Sequence, residues 1–163
     1  MEVGGVPQST KAAESDRDRV YPLIPRFINA AGYWGIPPAI LAGIASRESQ
    51  CGMLLDKNGF GDGGNAYGIM QVDKRFHVED HTSYAPDSLA HINFAASILK
   101  TNLTILQRKH GDWPLVRQLQ GAIAAYNCGV GNIKTQHGID IGTTHNDYSN
   151  DVWARALHFM KES

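Results

Sequence analysis

Cysteine is scarce in this chain: Cys51 and Cys128 are the only two in 163 residues. That excludes a disulfide framework, and the two have no paired spacing that would build a zinc site, so the core must hold itself together. Charge of one sign is equally lacking. Fifteen Lys and Arg against sixteen Asp and Glu leave −1 with histidines neutral, which excludes the broad positive field of a nucleic-acid or anionic-membrane binder. No apolar run reaches bilayer-spanning length. The opening stretch MEVGGVPQST carries neither a basic segment nor an apolar one, so no export signal is expected on this chain. What is present is an ordinary globular balance of 42% hydrophobic and 19% charged residues, which excludes a disordered effector. A chain of this length buries about 70% of its unfolded surface in one core. Seven histidines are expected to add positive charge in mild acid, since an unperturbed imidazole titrates at about pH 6.5.

Residues 1–8, small and polar with Gly4, Gly5 and Pro7, read as a flexible tail before a single domain spanning 9–163. A first helix is expected from Ser9 or Thr10, either a good N-cap. Val20, Leu23, Ile24, Phe27, Ile28 and Ala31 recur at three- and four-residue steps, the mark of a half-buried helix that must break or kink at Pro22 and Pro25. After Gly32–Gly35, the pair Pro37-Pro38 opens an apolar stretch through Ala45, expected to be the central buried helix. Glycines 59, 61, 63, 64 and 68 forbid a helix across 56–68. The run 69–73 fits a short strand and a small sheet. Helices follow from Pro86 through Leu106, from Leu115 through Ala125, and from Tyr148 to Met160.

Continuing the central helix places Glu48 over Leu41, Ile44 and Ala45, on an apolar face. Burial there disfavours the charged form and raises the pKa, the usual device for a general acid at neutral pH. The plain alternatives are a pair with a buried arginine or a helix that ends at Arg47 and leaves Glu48 in water. Acid-catalysed cleavage of a glycosidic bond needs a second carboxylate. Asp62, in a Gly-rich loop, and Asp73, at the end of the short strand, are the candidates; alone, an aspartate in such a loop is an ordinary turn residue. Tyr126 and Asn127 at a helix end offer a ring and an amide to a sugar, or a simple C-cap. Asp56, Asn58, Gly61 and Asp62 only superficially follow a calcium loop, because Phe60 and Tyr67 occupy ligand positions. His77, Glu79, Asp80 and His81 have neither zinc-protease spacing. No metal or cofactor is therefore expected.

Ser46-Arg47-Glu48-Ser49, the loop Asn58-Gly59-Phe60-Gly61-Asp62-Gly63-Gly64-Asn65, the run Tyr67 to Arg75 and then His77 together resemble goose-type lysozyme. The likeness continues through Ala125-Tyr126-Asn127, Gly129, Gly131 and Asn132, and through 140–152, covering roughly residues 37–163. It implies a predominantly helical α+β, lysozyme-like fold with a small antiparallel sheet beside the central helix. It also implies a muramidase that hydrolyses the β-1,4 bond between N-acetylmuramic acid and N-acetylglucosamine in bacterial peptidoglycan, acting in antibacterial defence. On that resemblance Glu48 is the general acid. Asp62 and Asp73 position the attacking water in an inverting reaction, and Gln71, His77, Tyr126, Asn127 and Tyr148 line the sugar cleft. The implied partners are peptidoglycan and N-acetylglucosamine oligomers, with a proteinaceous lysozyme inhibitor as a further one. A monomer acting outside the cell is expected, with an intracellular form as the alternative in the absence of an export signal. The bird proteins' N-terminal disulfides have no counterpart before Cys51. A lytic transglycosylase, or a non-catalytic peptidoglycan- or chitin-binding protein, is the competing reading.

Overall fold

The computed structural model describes residues 5–77 and 81–162. Helix α1 (Gly5–Val20) leads through a single 3-10 turn (Tyr21–Leu23) into α2 (Ile24–Trp34). The proline problem is thus resolved by a break, with each proline at the start of a new helical segment, where no intrahelical N–H is required. Helix α1 begins at Gly5, earlier than the Ser9 or Thr10 expected. Ser9 and Ala13 are already buried and anchor that first stretch, while residues 1–4 lie outside the described residues. Gly35 closes α2 in the left-handed region (φ 69°), its N–H donating to the Ala31 carbonyl.

Helix α3 (Pro38–Ser49) is apolar on nearly every side, with Ile40, Leu41, Ala42, Gly43, Ile44 and Ala45 all buried. A helix of that composition must be enclosed by neighbours, and α3 packs against α6 (Tyr148–Glu162), α2 and α1. Helices α4 (Leu89–Lys109) and α5 (Leu115–Cys128) complete the cover, packed on each other, on α2 and on α6. One hydrophobic cluster runs from Ala13 to Phe159. No helix among the described residues is long and apolar enough to cross a membrane.

Gly43 sets the approach of α3 to α6: a Cβ there would stand 2.7 Å from the Val152 carbonyl oxygen and 3.3 Å from the Ala156 nitrogen. The obstacle is backbone, so relief requires α6 to move. Gly43→Ala is expected to destabilise the fold by about 1–3 kcal/mol despite alanine's better helix propensity, read as a lower urea midpoint at unchanged slope.

The sheet has three antiparallel two-residue strands in the order β1 (Phe60–Gly61), β2 (Ala66–Tyr67), β3 (Val72–Asp73), with Phe60 opposite Tyr67 and Ala66 opposite Asp73. The strand expected over 69–73 is therefore shorter at its start. Ile69 and Met70 are buried, which imitates a strand in sequence, but their N–H groups leave the ladder: Ile69 donates to the Pro86 carbonyl and Met70 to His91 Nε2. Gly68 (φ 76°) and Gln71 (φ 50°) bracket that turn in left-handed conformations. A Cβ on Gly68 would lie 2.2 Å from the His91 ring, so glycine is required there twice over.

Candidate active site

Glu48 stands in the last turn of α3. The chain leaves that turn through Gln50 and Cys51, both non-glycine residues at φ 52°. Two consecutive left-handed residues are strained. They are held by Gln50 and Cys51 N–H donation to the Ser46 and Ala45 carbonyls, and by Ser49 Oγ donating to Ile69 O at 2.8 Å. The second of these ties the end of α3 to the β2–β3 turn, and so to the sheet that carries both aspartates.

The Glu48 carboxyl accepts a 2.6 Å hydrogen bond from Tyr148 Oη. Desolvation pushes its pKa up from 4.5 to about 7, more than the opposing hydrogen bond from Tyr148 and the charge of Arg47 lower it, and the negative charge of Asp62 pushes the same way as burial. The acid that periodicity placed on an apolar helix face therefore keeps a substantial protonated fraction near neutrality, its side chain only half-buried and open in part to solvent. Arg47 does not neutralise it by pairing. That guanidinium binds Asp151 at 2.7 Å and Asp147 at 3.1 Å, and sits 5.1 Å from the centroid of the Tyr148 ring.

Tyr148 is 1% exposed. The ring expected to line a sugar cleft instead acts on Glu48, with its hydroxyl pushed well above the ordinary tyrosine pKa by burial and by the Glu48 charge. Because the Tyr148 hydrogen bond favours ionised Glu48, Tyr148→Phe is expected to raise the Glu48 pKa further and to move the alkaline limb of any Glu48-dependent activity to higher pH. A pH–rate profile of that variant checks this; a limb displaced to lower pH would contradict it. Tyr126 Oη donates to Met70 O at 2.6 Å. Burial, with the Glu48 charge, also raises its pKa well above the ordinary value, which places it in Glu48's electrostatic neighbourhood.

Asp62 opens the turn between β1 and β2 in a left-handed conformation (φ 51°). Asp73 ends β3 and is gripped by Arg75: Nη2 to Oδ2 at 2.7 Å, Nε to Oδ1 at 3.0 Å, and the Arg75 N–H to Oδ1 at 2.8 Å. Hydrogen bonds from the Arg75 side chain, more than burial opposes, hold the Asp73 carboxyl below its ordinary range. Arg75 Nη2 also approaches Asp62 Oδ2 at 3.8 Å. One arginine thus spans the two carboxylates, a role invisible in a string of residue types.

The other residues of the motif are placed as follows. Gln71 donates from Nε2 to Gly68 O at 2.9 Å and packs on Gly61, where a Cβ would meet its Oε1 at 2.4 Å. Asn127 is exposed, but its amide accepts from the Thr144 N–H at 2.9 Å and donates to Thr144 Oγ1 at 3.1 Å, which fastens the loop before α6. His77 packs edge-on against Phe94, ring centroids 6.2 Å apart. Glu79 and Asp80, from the cluster rejected for zinc, lie outside the described residues. Both cysteines are free, and burial pushes the Cys51 thiol up to about 12, which makes it inert.

Behind Glu48 lies a polar lattice that the sequence does not reveal. Asp16 accepts from Ser46 Oγ at 2.6 Å and pairs with Arg19 at 2.7 Å. Asp151 accepts from Ser9 Oγ at 2.6 Å and pairs with Arg47 and Arg155 at 2.7 and 3.0 Å. Arg155 Nη1 also donates to Ser46 Oγ at 3.0 Å. The i,i+4 spacing of Asp151 and Arg155 was legible, but the link to α1 was not.

The profile of the family described as lysozyme g matches residues 1–163. A lysozyme g from Gallus gallus is 51% identical over 126 residues, 77% of this chain and 58% of that protein. One from Casuarius casuarius is 43% identical over 160 residues, 96% of this chain and 83% of that protein. A glycine, glutamate and proline-rich protein from Lottia gigantea is 44% identical over 160 residues, 96% of this chain and 38% of that protein. The chain thus spans between about two-fifths and five-sixths of the length of these relatives. With the family profile matched from end to end and bird relatives at this identity, the chain belongs to the lysozyme g family.

Proposed function

We propose that this chain is a muramidase: it hydrolyses the β-1,4 bond between N-acetylmuramic acid and N-acetylglucosamine in bacterial peptidoglycan, with an antibacterial role outside the cell. The observation that carries the reading is the Glu48 carboxyl at the end of α3, hydrogen-bonded by Tyr148 and with its pKa raised by burial to about 7. An acid with a pKa near 7 delivers a proton to the leaving glycosidic oxygen as the C1–O bond breaks. Water adds to C1 from the opposite face of the ring, and the proton it loses goes to the aspartate pair. Arg75 keeps Asp73 ionised and aims it beside Asp62. Addition from the opposite face inverts the anomeric centre, for which the carboxyls must leave room for a water between acid and base. Glu48, left as carboxylate, is reprotonated from solvent before the next turnover. Tyr126, Gln71, His77 and Asn127 border the path of the glycan. Neither a metal nor a cofactor enters this scheme.

The test is the mass of the fragments released from purified peptidoglycan. Hydrated reducing ends support hydrolysis. Fragments lighter by one water carry anhydro-muramic ends and move the chain to transglycosylation. Retained wall binding without fragments leaves a non-catalytic binding protein.

A further inference from the structure

The turn between β2 and β3 is held by groups from outside it, and one of them, His91, titrates in acid. The Ile69 N–H donates to the Pro86 carbonyl at 2.9 Å, and the Ile69 carbonyl accepts from Ser49 Oγ at 2.8 Å. The Met70 carbonyl accepts from Tyr126 Oη at 2.6 Å. On the other side of the same residue, the Met70 N–H donates to His91 Nε2 at 3.0 Å. His91 is fully buried and has no part in the proposed proton transfers. Val72 and Asp73 form β3 directly after this turn, so a displacement at Met70 passes through Gln71 into Asp73.

A neutral imidazole that accepts at Nε2 carries its proton on Nδ1, which is buried with no hydrogen-bond partner among the described residues. A second proton on Nε2 would therefore face the Met70 N–H, donor against donor, and leave Nδ1 still without an acceptor. The ring lies against the Gly68 backbone, 2.2 Å from where a Cβ would stand. It meets Tyr67 edge-on, centroids 5.8 Å apart. His91 also sits in the first turn of α4, where Ser88 Oγ accepts its backbone N–H at 3.1 Å, and the positive end of a helix disfavours a cation. The titratable groups around it are Tyr67 of β2, His81 of the buried 3-10 turn 81–83, and Asp87, which precedes α4 and pairs with Arg26 at 3.7 Å. Burial, more than His81, lowers the His91 pKa from 6.5 to about 4.

We infer that His91 is a positioning residue for the cleavage: its neutral imidazole, through the Met70 N–H, fixes the turn that sets Gln71 and Asp73 relative to Glu48, and protonation of His91 releases that turn in acid. The effect on rate rests on the proposed muramidase reading, whereas the latch is a property of the fold alone. Its folded-state pKa lies below the unfolded value, so the stability it contributes is present above about pH 6.5 and is lost as pH falls through about 4. Asp73, held below its ordinary range by Arg75, titrates at lower pH than this latch.

The experiment pairs long-range ¹H–¹⁵N NMR of the wild-type imidazoles with pH–rate profiles of wild type, His91→Gln and His91→Phe on peptidoglycan. The His91 proton is expected on Nδ1 at neutral pH, and the Met70 amide is expected to shift together with His91 on acidification, with one midpoint near 4. Glutamine offers Oε1 as an acceptor in place of Nε2 but takes up no proton. His91→Gln is therefore expected to keep the neutral-pH kcat and to move the acid limb of kcat to lower pH, a displacement that a merely structural histidine would not give. His91→Phe, which has no acceptor, is expected to lose kcat by about 10- to 100-fold with KM little changed. The wild-type titration and His91→Gln decide the matter even where His91→Phe fails to fold. A proton on Nε2 at neutral pH, or an acid limb unmoved in His91→Gln, would overturn the inference and leave the muramidase reading intact. Wild-type protein that releases no fragments would overturn that reading alone, and a Met70 amide that titrates independently of His91 would then overturn the latch as well.

Discussion

Glu48→Gln is expected to lower peptidoglycan cleavage by about 10²- to 10⁴-fold, the usual worth of a general acid, while the protein keeps its fold and its affinity for glycan. The amide matches the carboxyl in size and still accepts the Tyr148 hydroxyl, so the loss isolates proton donation. The same substitution acts on stability in the opposite direction. The folded-state pKa of Glu48 is raised from 4.5 to about 7, so its contribution to stability is fully present below about pH 4.5 and is lost as pH rises through 7. At pH 8 and above the wild type carries a desolvated carboxylate at a cost of about 3 kcal/mol, taking about 1.4 kcal/mol per pKa unit. Glu48→Gln, which cannot ionise, is then more stable than wild type in urea at pH 8–9, with the difference vanishing near pH 4. A variant that is both inactive and more stable at alkaline pH is the signature of an acid kept protonated by burial. Equal stability of the two proteins at every pH would remove burial as the cause.

Asp151→Asn is expected to cost about 3–5 kcal/mol of stability, the largest effect of any single polar change considered, because it breaks a buried ionic cluster at its centre. Arg47 and Arg155 each have only 13% of their side chain exposed and both pair with Asp151. Burial of Asp151 raises its pKa, but Ser9, Arg47 and Arg155 together outweigh that and hold it below the ordinary carboxylate value. Its contribution is therefore present above the unfolded pKa and lost as pH falls through the folded one, which makes the cluster a point of acid sensitivity. A pair at the surface provides the contrast. Arg26 and Asp87 stand 3.7 Å apart with 44% and 56% of their side chains exposed, and Asp87→Asn is expected to change stability by less than about 1 kcal/mol. Urea midpoints of the two variants at pH 7 check the comparison. Because Asp151 holds Arg47 beneath the Tyr148 ring, its loss is also expected to disturb Glu48.

The elements best legible in the sequence were those set by local period. The apolar run opened by Pro38 became α3, and the phase of Glu48 on it followed from Leu41, Ile44 and Ala45 alone. Glycine and proline punctuation bounded α2, α4 and α5 for the same reason. Periodicity failed where backbone groups bond across long sequence separations. Ile69 and Met70 read as strand because they are apolar and buried, yet their N–H groups bond to Pro86 and His91. Gly4, Gly5 and Pro7 weaken helix propensity and point to a later start of α1 than the structure has, whereas α1 is tied to α6 from Ser9 onward, whose Oγ donates to Asp151 Oδ1 at 2.6 Å.

In the site, residue types pointed to the acid and the aspartates, but partners had to be seen in space. Arg75 lies two residues from Asp73, and its reach to Asp62 depends on the β1–β2 turn. Tyr148 lies one hundred residues from Glu48 in sequence, so no spacing rule could tell a ring that faces sugar from one that faces the acid.

The raised pKa of Glu48 is read most directly by a ¹³C NMR titration of its side-chain carboxyl, assigned by difference against Glu48→Gln. A midpoint near 7, coinciding with the alkaline limb of kcat/KM on peptidoglycan, is the predicted result. A midpoint near 4.5, the value of an ordinary solvated glutamate, would contradict it.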